Sequence, residues 1–411
     1  MHVPGWHEKT RKWQQEGRLQ VLGIIEEQHP ERARLFMQWK RMDWPILVDS
    51  LNLLRVPYVP ITLAIDEHGV IRLDELGLEE VDRLEKEFLD RTFELPAGAP
   101  PGSAPAFGGT VRPDLGALGR AASRLQSAAA WREHARALVL WGGTERHDEA
   151  IEAYHEAVRL EPGDDATRFR LGVAYRMRHD SERRQSHDFQ SAVNAWSEAL
   201  EIDPNNYIWR RRIQQYGPRL DKPYSFYDWV SEAREEIEAR GETPVPLRVE
   251  PGGAELAYPA ERFASEQGPS EAPDPQGHIL RDKKGFIQVE TVLVPPAIAP
   301  GGSARVHVIF RPNADVKAHW NNEVEDLVFW VDPPAGWRTD RRWLTVPRPQ
   351  QVVSTETRRV EFELQVPADA APGTVELSGY ALYYVCEDVK GTCLYRRQDL
   401  SLQIAVLEQP R

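Results

Sequence analysis

The chain has 411 residues, 41% of them hydrophobic and 28% charged, and a formal net charge of −13, a balance typical of a soluble globular protein of roughly two to four domains. Such an acid surplus excludes a general nucleic-acid binder, which must neutralise phosphates with Lys and Arg. The absence of any apolar run of about 18 residues leaves no membrane span to expect, and two cysteines, Cys386 and Cys393, exclude a disulfide-rich scaffold and any four-cysteine metal site.

At the amino terminus His2, Trp6, Glu8 and Lys9 interrupt the apolar core that a signal peptide needs. A cytoplasmic protein is expected if Met1 is the true start, and a periplasmic or exported one if a segment precedes it. Residues 95–127 and 241–285 read as linkers. The first holds Pro96, Pro100, Pro101, Pro105 and Pro113 among Gly, Ala and Ser, and the second holds seven prolines. Three folded blocks remain, 1–94, 128–240 and 286–411.

In the first block residues 6–16 have a helical pattern, and Leu19 to Ile25 form an apolar run suited to a buried parallel strand. A helix from Glu31 to Met42 follows. Ile61 to Ile65 and Val70 to Leu73 read as a hairpin around Asp66-Glu67-His68-Gly69, and a helix from Leu78 to Leu89 closes an α/β unit. The motifs Leu22-Gly23-Ile24-Ile25, Trp44-Pro45-Ile46-Leu47-Val48-Asp49, Val59-Pro60-Ile61-Thr62 and Ile65-Asp66-Glu67-His68-Gly69-Val70-Ile71 resemble the TlpA-type thioredoxin-like family. The resemblance implies a cis Val59-Pro60 bond beside the active site, where the block would dock peptides. It also places a Cys-x-x-Cys near His2-Val3-Pro4-Gly5 or Val3-Pro4-Gly5-Trp6, where this chain has no cysteine and so no thiolate for exchange. The family's first strand, interior to its sheet, would precede Met1. Two readings follow: a start that lies upstream, or a degenerate domain kept as a scaffold.

Residues 128–240 are rich in helix formers. Ala150, Tyr154, Ala157 and Pro162 recur as Ala192, Trp196, Ala199 and Pro204, a spacing that resembles tetratricopeptide repeats with a polar insertion near His179 to Ser186. Two diverged repeats and a capping helix at 223–239 are expected. Such repeats form concave peptide-binding surfaces. Arg168, Arg170, Arg176, Arg178, Arg183, Arg184 and Arg210 to Arg212 would line one for an acidic segment, or else form a solvated helix face.

From residue 286 the pattern has period two: Val306, Val308 and Phe310 alternate with Arg305, His307 and Ile309, as Phe362, Leu364 and Val366 do with Glu361, Glu363 and Gln365. Short strands separated by turns predict an antiparallel β-sandwich of immunoglobulin-like kind. In the last hairpin Val375, Leu377, Gly379, Ala381, Tyr383 and Val385 carry the core face, with Leu400, Leu402, Ile404 and Val406 on the returning strand. Cys386 and Cys393 have the opposite parity, so both sulfurs leave the outward face, close enough to bond across the strands. The Tyr384-Val385-Cys386 approach and the Cys393-Leu394-Tyr395 return resemble the amino-terminal domain of the thiol:disulfide interchange protein DsbD. There the equivalent pair passes electrons to partner thiol proteins. Lys390, Arg396 and Arg397 would favour a thiolate, and Glu387 and Asp388 would oppose it.

His147, His155, His179 and His187 lack the i, i+4 spacing of a helical zinc site, and no phosphate loop or Gly-x-Ser-x-Gly elbow occurs. No metal or cofactor is expected. The sequence therefore reads as a multidomain chain, α/β then all-α then all-β: a thioredoxin-like domain lacking its first strand, tetratricopeptide repeats, and a β-sandwich. The expected function is that of a thiol–disulfide adaptor with Cys386 and Cys393 as the exchanging pair. Val59, Pro60, Arg168 and Arg176 would contact a protein partner. A binding scaffold with a structural hairpin disulfide is the alternative.

Overall fold

The computed structural model describes residues 2–94, 112–219, 228–249, 252, 263, 269, 271–387 and 391–408. Helices and several β-sheets both occur, so the chain is a mixed α and β multidomain protein. It forms two compact units, one of Met1–Ala174, Ala199–Arg212 and Trp229–Glu250, the other of Tyr175–Glu198, Ile213–Asp228 and Pro251–Arg411.

The first unit opens with α1 (His2–Gln15), β1 (Gly23–Ile25), α2 (Glu31–Lys40), β2 (Ile46–Val48), β3 (Ala64–Ile65), β4 (Ile71–Leu73) and α3 (Val81–Leu84), which continues as a wider turn over Glu85–Leu89. β1 and β2 pair in parallel and β3 and β4 antiparallel, as two separate two-stranded sheets. The turn between β3 and β4 is fixed by Asp66, whose Oδ1 accepts the amides of His68 and Val70 at 2.9 Å each, and by Gly69 at φ +78°. Trp6, Trp13, Trp44, Leu73 and Leu84 form one core. Leu22, Ile24, Leu47, Ile65 and Ile71 stay exposed.

The same unit continues with α4 (Leu115–Leu125), α5 (Ala128–Trp141), α6 (His147–Leu160), the start of α7 (Asp165–His179), the end of α8 (Asp188–Ile202), α9 (Tyr207–Gln214) as far as Arg212, and α10 (Trp229–Ala239). Helix α4 lies inside the stretch whose composition reads as linker. Asp114 caps it by accepting the Ala117 amide at 2.9 Å, and Leu115 and Ala122 are buried. Small residues let α5 and α6 approach closely, with Ala135, Leu138, Ala150, Tyr154 and Ala157 fully buried. Two arginines tie these helices to the α/β block. Arg170 donates to the carbonyls of Leu51 and Asn52 at 3.0 and 3.2 Å, and Arg212 donates to Gln28 Oε1 at 2.7 Å and Ser50 O at 3.1 Å.

The second unit is built on β5 (Ile287–Val294), β6 (Ala297–Ile298), β7 (Ser303–Pro312), β8 (Ala318–Asn321), β9 (Leu327–Asp332), β10 (Arg338–Thr339), β11 (Trp343–Val346), β12 (Val353–Ser354), β13 (Arg358–Gln365), β14 (Gly373–Glu387) and β15 (Cys393–Val406). One sheet runs β10-β13-β7-β5. The other runs β11-β9-β14-β15-β6, with β8 beside β14 and β12 beside β8. Their inner faces share one core containing Val306, Val308, Phe310, Phe362, Leu364, Leu377, Ala381, Tyr383 and Val385.

The outer face of β7 is buried as well. His307 reaches the carbonyl of Tyr216, in the turn after α9, at 2.8 Å and lies 5.3 Å from the ring of Phe189 on α8. Charges under that cover are paired: Glu361 with Arg305 and His307, and Glu290 with Arg311 at 2.9 Å and His179 at 3.4 Å. Burial alone would raise the Glu290 carboxyl. The hydrogen bonds and charges of His179 and Arg311 outweigh it and hold the group down at about 2.

Candidate functional site

Strands β14 and β15 pair in one unbroken antiparallel register from Gly373↔Val406 to Cys386↔Cys393. Leu377, Ala381, Tyr383 and Val385 face the core, so the other parity of β14 faces outward. The two sulfurs are bonded across the last rung, with Cα atoms 4.0 Å apart.

The two halves of the disulfide differ in access. Cys393 is exposed, whereas Cys386 is 3% exposed, because β14 is flanked at this point by a second strand. β8 pairs with it as Val385↔Trp320, Cys386↔His319 and Glu387↔Ala318. An attacking thiolate therefore finds Cys393 open and Cys386 covered.

The next rung inward carries Tyr384 opposite Tyr395, stacked with ring centroids 4.3 Å apart. Burial, then the charge of Glu325 and a hydrogen bond to it, raise the Tyr384 hydroxyl, and burial with the neighbouring Tyr384 and Glu325 pushes Tyr395 up to about 12. Both phenols stay neutral at physiological pH. Glu387, beside Cys386, is bound by Lys284 at 3.1 Å.

The basic residues expected to favour a thiolate are placed otherwise. Arg397 lies over the Tyr380 ring at 3.6 Å and is bound by Asp274 at 2.9 Å and Asp399 at 2.6 Å, opposite Leu382. Arg396 lies opposite Tyr383, and Asp388 and Lys390 fall outside the described residues. The residue that sequence reasoning missed is His319. Its pairing with Cys386 joins positions 67 residues apart, which no local pattern encodes.

Val59 and Pro60 lie on an exposed loop between β2 and β3, joined by a cis peptide bond, with Leu54, Tyr58 and Leu63 also exposed. Arg168 donates to the Pro162 carbonyl at 2.9 Å. Arg176 is an interior residue, 1% exposed, with its guanidinium over Phe189 at 4.0 Å and Tyr216 at 5.1 Å and its Nε 3.3 Å from Asp180. Arg170, Arg178 and Arg212 are buried too. Arg183, Arg184 and Arg210 stay exposed. Val59, Pro60 and Arg168 belong to the first unit, and Arg176 and the disulfide to the second.

A cavity of about 760 Å³ opens on the outer face of the same unit, lined by Trp330, Arg342, Tyr380, Arg397 and Asp399 among others. Its arginines are already paired with Asp274, Asp332 and Asp399, so it offers less chemistry than the disulfide. Among the described residues no group of three His, Cys, Asp or Glu is placed to hold a metal ion, and no helix is long and apolar enough to cross a membrane.

No protein-family model matches the chain, and no curated protein matches it. Among solved structures, a protein of unknown function from Porphyromonas gingivalis W83 is 16% identical over 30% of this chain and 48% of that one, with a TM-score of 0.19. The sporulation control protein Spo0M from Bacillus subtilis is 15% identical over 30% of this chain and 51% of that one, with a TM-score of 0.16. The chain thus matches about half the length of each, and likeness at this level carries no functional argument.

Proposed function

We propose that the protein is a multidomain adaptor for thiol–disulfide exchange, in which Cys386 and Cys393 trade electrons with a dithiol of a partner protein. The observation that carries this reading is the unequal access of the two sulfurs: Cys393 exposed, Cys386 covered by β8. A partner thiolate attacks Cys393 Sγ, the Cys386–Cys393 bond breaks, and Cys386 departs as a thiolate. The second partner thiol, once deprotonated, then attacks the mixed disulfide and releases Cys393. Two electrons pass to the pair and the partner ends as a disulfide. In this reading the second unit is a β-sandwich of the DsbD amino-terminal kind, the helices are tetratricopeptide repeats, and the α/β block is thioredoxin-like. The exposed loop at Val59 and Pro60 docks peptide without chemistry.

The burial of Cys386 favours one other reading, a structural staple on a binding scaffold. A redox titration of the full chain, scored by thiol trapping and mass spectrometry, separates them. Exchange predicts a midpoint between about −120 and −270 mV, and a midpoint below about −300 mV marks a staple and ends the exchange reading.

A further inference from the structure

His319 is 7% exposed, and among the described residues its side chain makes no hydrogen bond and no ion pair. Directly opposed side chains on antiparallel strands have Cβ atoms about 4.5–5.5 Å apart and share a face. His319 stands in that relation to Cys386, with Trp320 on the other parity turned into the core. The group beside His319 is the sulfur that must leave as an anion.

We propose that His319 is the proton-exchange partner of Cys386 during disulfide exchange, which rests on the reading that the pair exchanges at all. As the partner thiolate bonds to Cys393 Sγ and the Cys386–Cys393 bond breaks, the imidazolium of His319 gives its proton to the departing Cys386 thiolate and becomes neutral. In the reverse direction the neutral imidazole takes the proton from the Cys386 thiol. The thiolate then attacks the mixed disulfide and expels the partner sulfur. The electrons come from the partner dithiol in one direction and return to it in the other. No further oxidant is needed.

Among the described residues, the charged and titratable groups at neighbouring positions do not take over this task. On β8's own flank stands Lys317, exposed at its start, and Glu323 and Glu325 follow the strand. On β14, Glu387 is bound by Lys284, and Tyr384 and Tyr395 are neutral phenols stacked on one another. Beyond β12, Glu356 is bound by Arg358 at 2.9 Å. His319 is the imidazole aligned with the buried sulfur.

Reduction of the full chain by dithiothreitol, followed by thiol trapping and corrected for the thiolate fraction of the reagent, tests this. A proton donor beside the departing sulfur predicts a wild-type rate that rises as pH falls. His319→Gln is expected to flatten that profile, slowing reduction about tenfold at pH 6 and less than about twofold at pH 8.5. Superimposable profiles in a pair that does exchange overturn the role of His319 alone, whereas a wild-type disulfide that no dithiol reduces removes both readings. A second measurement needs no variant. The NMR titration midpoint of His319 should differ between oxidised and reduced wild-type protein, and identical midpoints overturn the proposal.

Discussion

Glu26 stands one residue beyond β1 with both carboxylate oxygens buried and without hydrogen-bond partners among the described residues. Burial, helped by the charge of Asp49 and opposed by that of Arg212, pushes its carboxyl up to about 8. A carboxyl whose folded value lies above its unfolded one keeps its proton in the native state between the two values, so stability falls as pH rises through about 4.5 to 8. Glu26→Gln removes that liability. The variant should be more stable than wild type by about 1–3 kcal/mol at pH 8, after discounting for partial exposure, and nearly equal to it at pH 4.5. Urea unfolding of both proteins at the two pH values measures this, and a gain of equal size at both would remove titration as its cause. The arginines teach the complementary lesson. Arg170, Arg176 and Arg212 read as solvated or partner-facing in the sequence because charge alone signals water. Their backbone-carbonyl and aromatic partners, which make burial tolerable, lie at distant positions.

At the scale of single elements, packing of the helical block rests on a few aromatics. Trp196 of α8 is fully buried and stacks on Tyr216 with ring centroids 5.5 Å apart and an interplanar angle of 3°. Trp196→Ala should destabilise the second unit by about 3–5 kcal/mol, measurable by urea unfolding, whereas a loss under about 1 kcal/mol would show that the neighbours collapse into the space. Asp114→Ala should cost about 1 kcal/mol of the first unit through the lost cap of α4, read by the same method. How legible an element is follows from how local its cause is. The β14–β15 pairing, including Cys386 against Cys393, was legible because both strands alternate without a bulge and meet at a short turn. The small and aromatic positions Ala150, Tyr154, Ala192 and Trp196 were legible by recurrence, and all are fully buried. Helix α4 was hidden because Gly and Ala dominate its composition, though Asp114 and the spacing of Leu115, Leu118, Ala122 and Leu125 carried the signal. The place of β8 beside β14 was not legible, because sheet neighbours distant in sequence leave no periodic trace.

For the whole molecule, the two units carry buried carboxyls displaced in opposite directions, and this makes their stabilities diverge with pH. In the first unit Glu26 sits near 8. In the second, burial tends to raise Glu290 and Glu361, but His179 and Arg311 hold Glu290 at about 2, and Arg305 and His307 hold Glu361 well below the carboxylate range. A depressed carboxyl contributes stability that is complete above its unfolded value near 4.5 and is lost as pH falls toward the folded value, because the unfolded chain takes up the proton first. Cooling the comparison to one buffer series, calorimetry at pH 8, 5 and 3 should therefore resolve two transitions. From pH 8 to 5 the first unit's transition should rise in temperature, with that of the second unit little changed. From pH 5 to 3 the second unit's transition should fall steeply. The assignment is checked by variants: Glu290→Gln should remove part of the acid sensitivity of the second transition, and Glu26→Gln should remove part of the alkaline sensitivity of the first. A single transition moving one way across the whole range would mean that the units unfold as one cooperative body, with the ionic layer under β7 no more than a passenger in its stability.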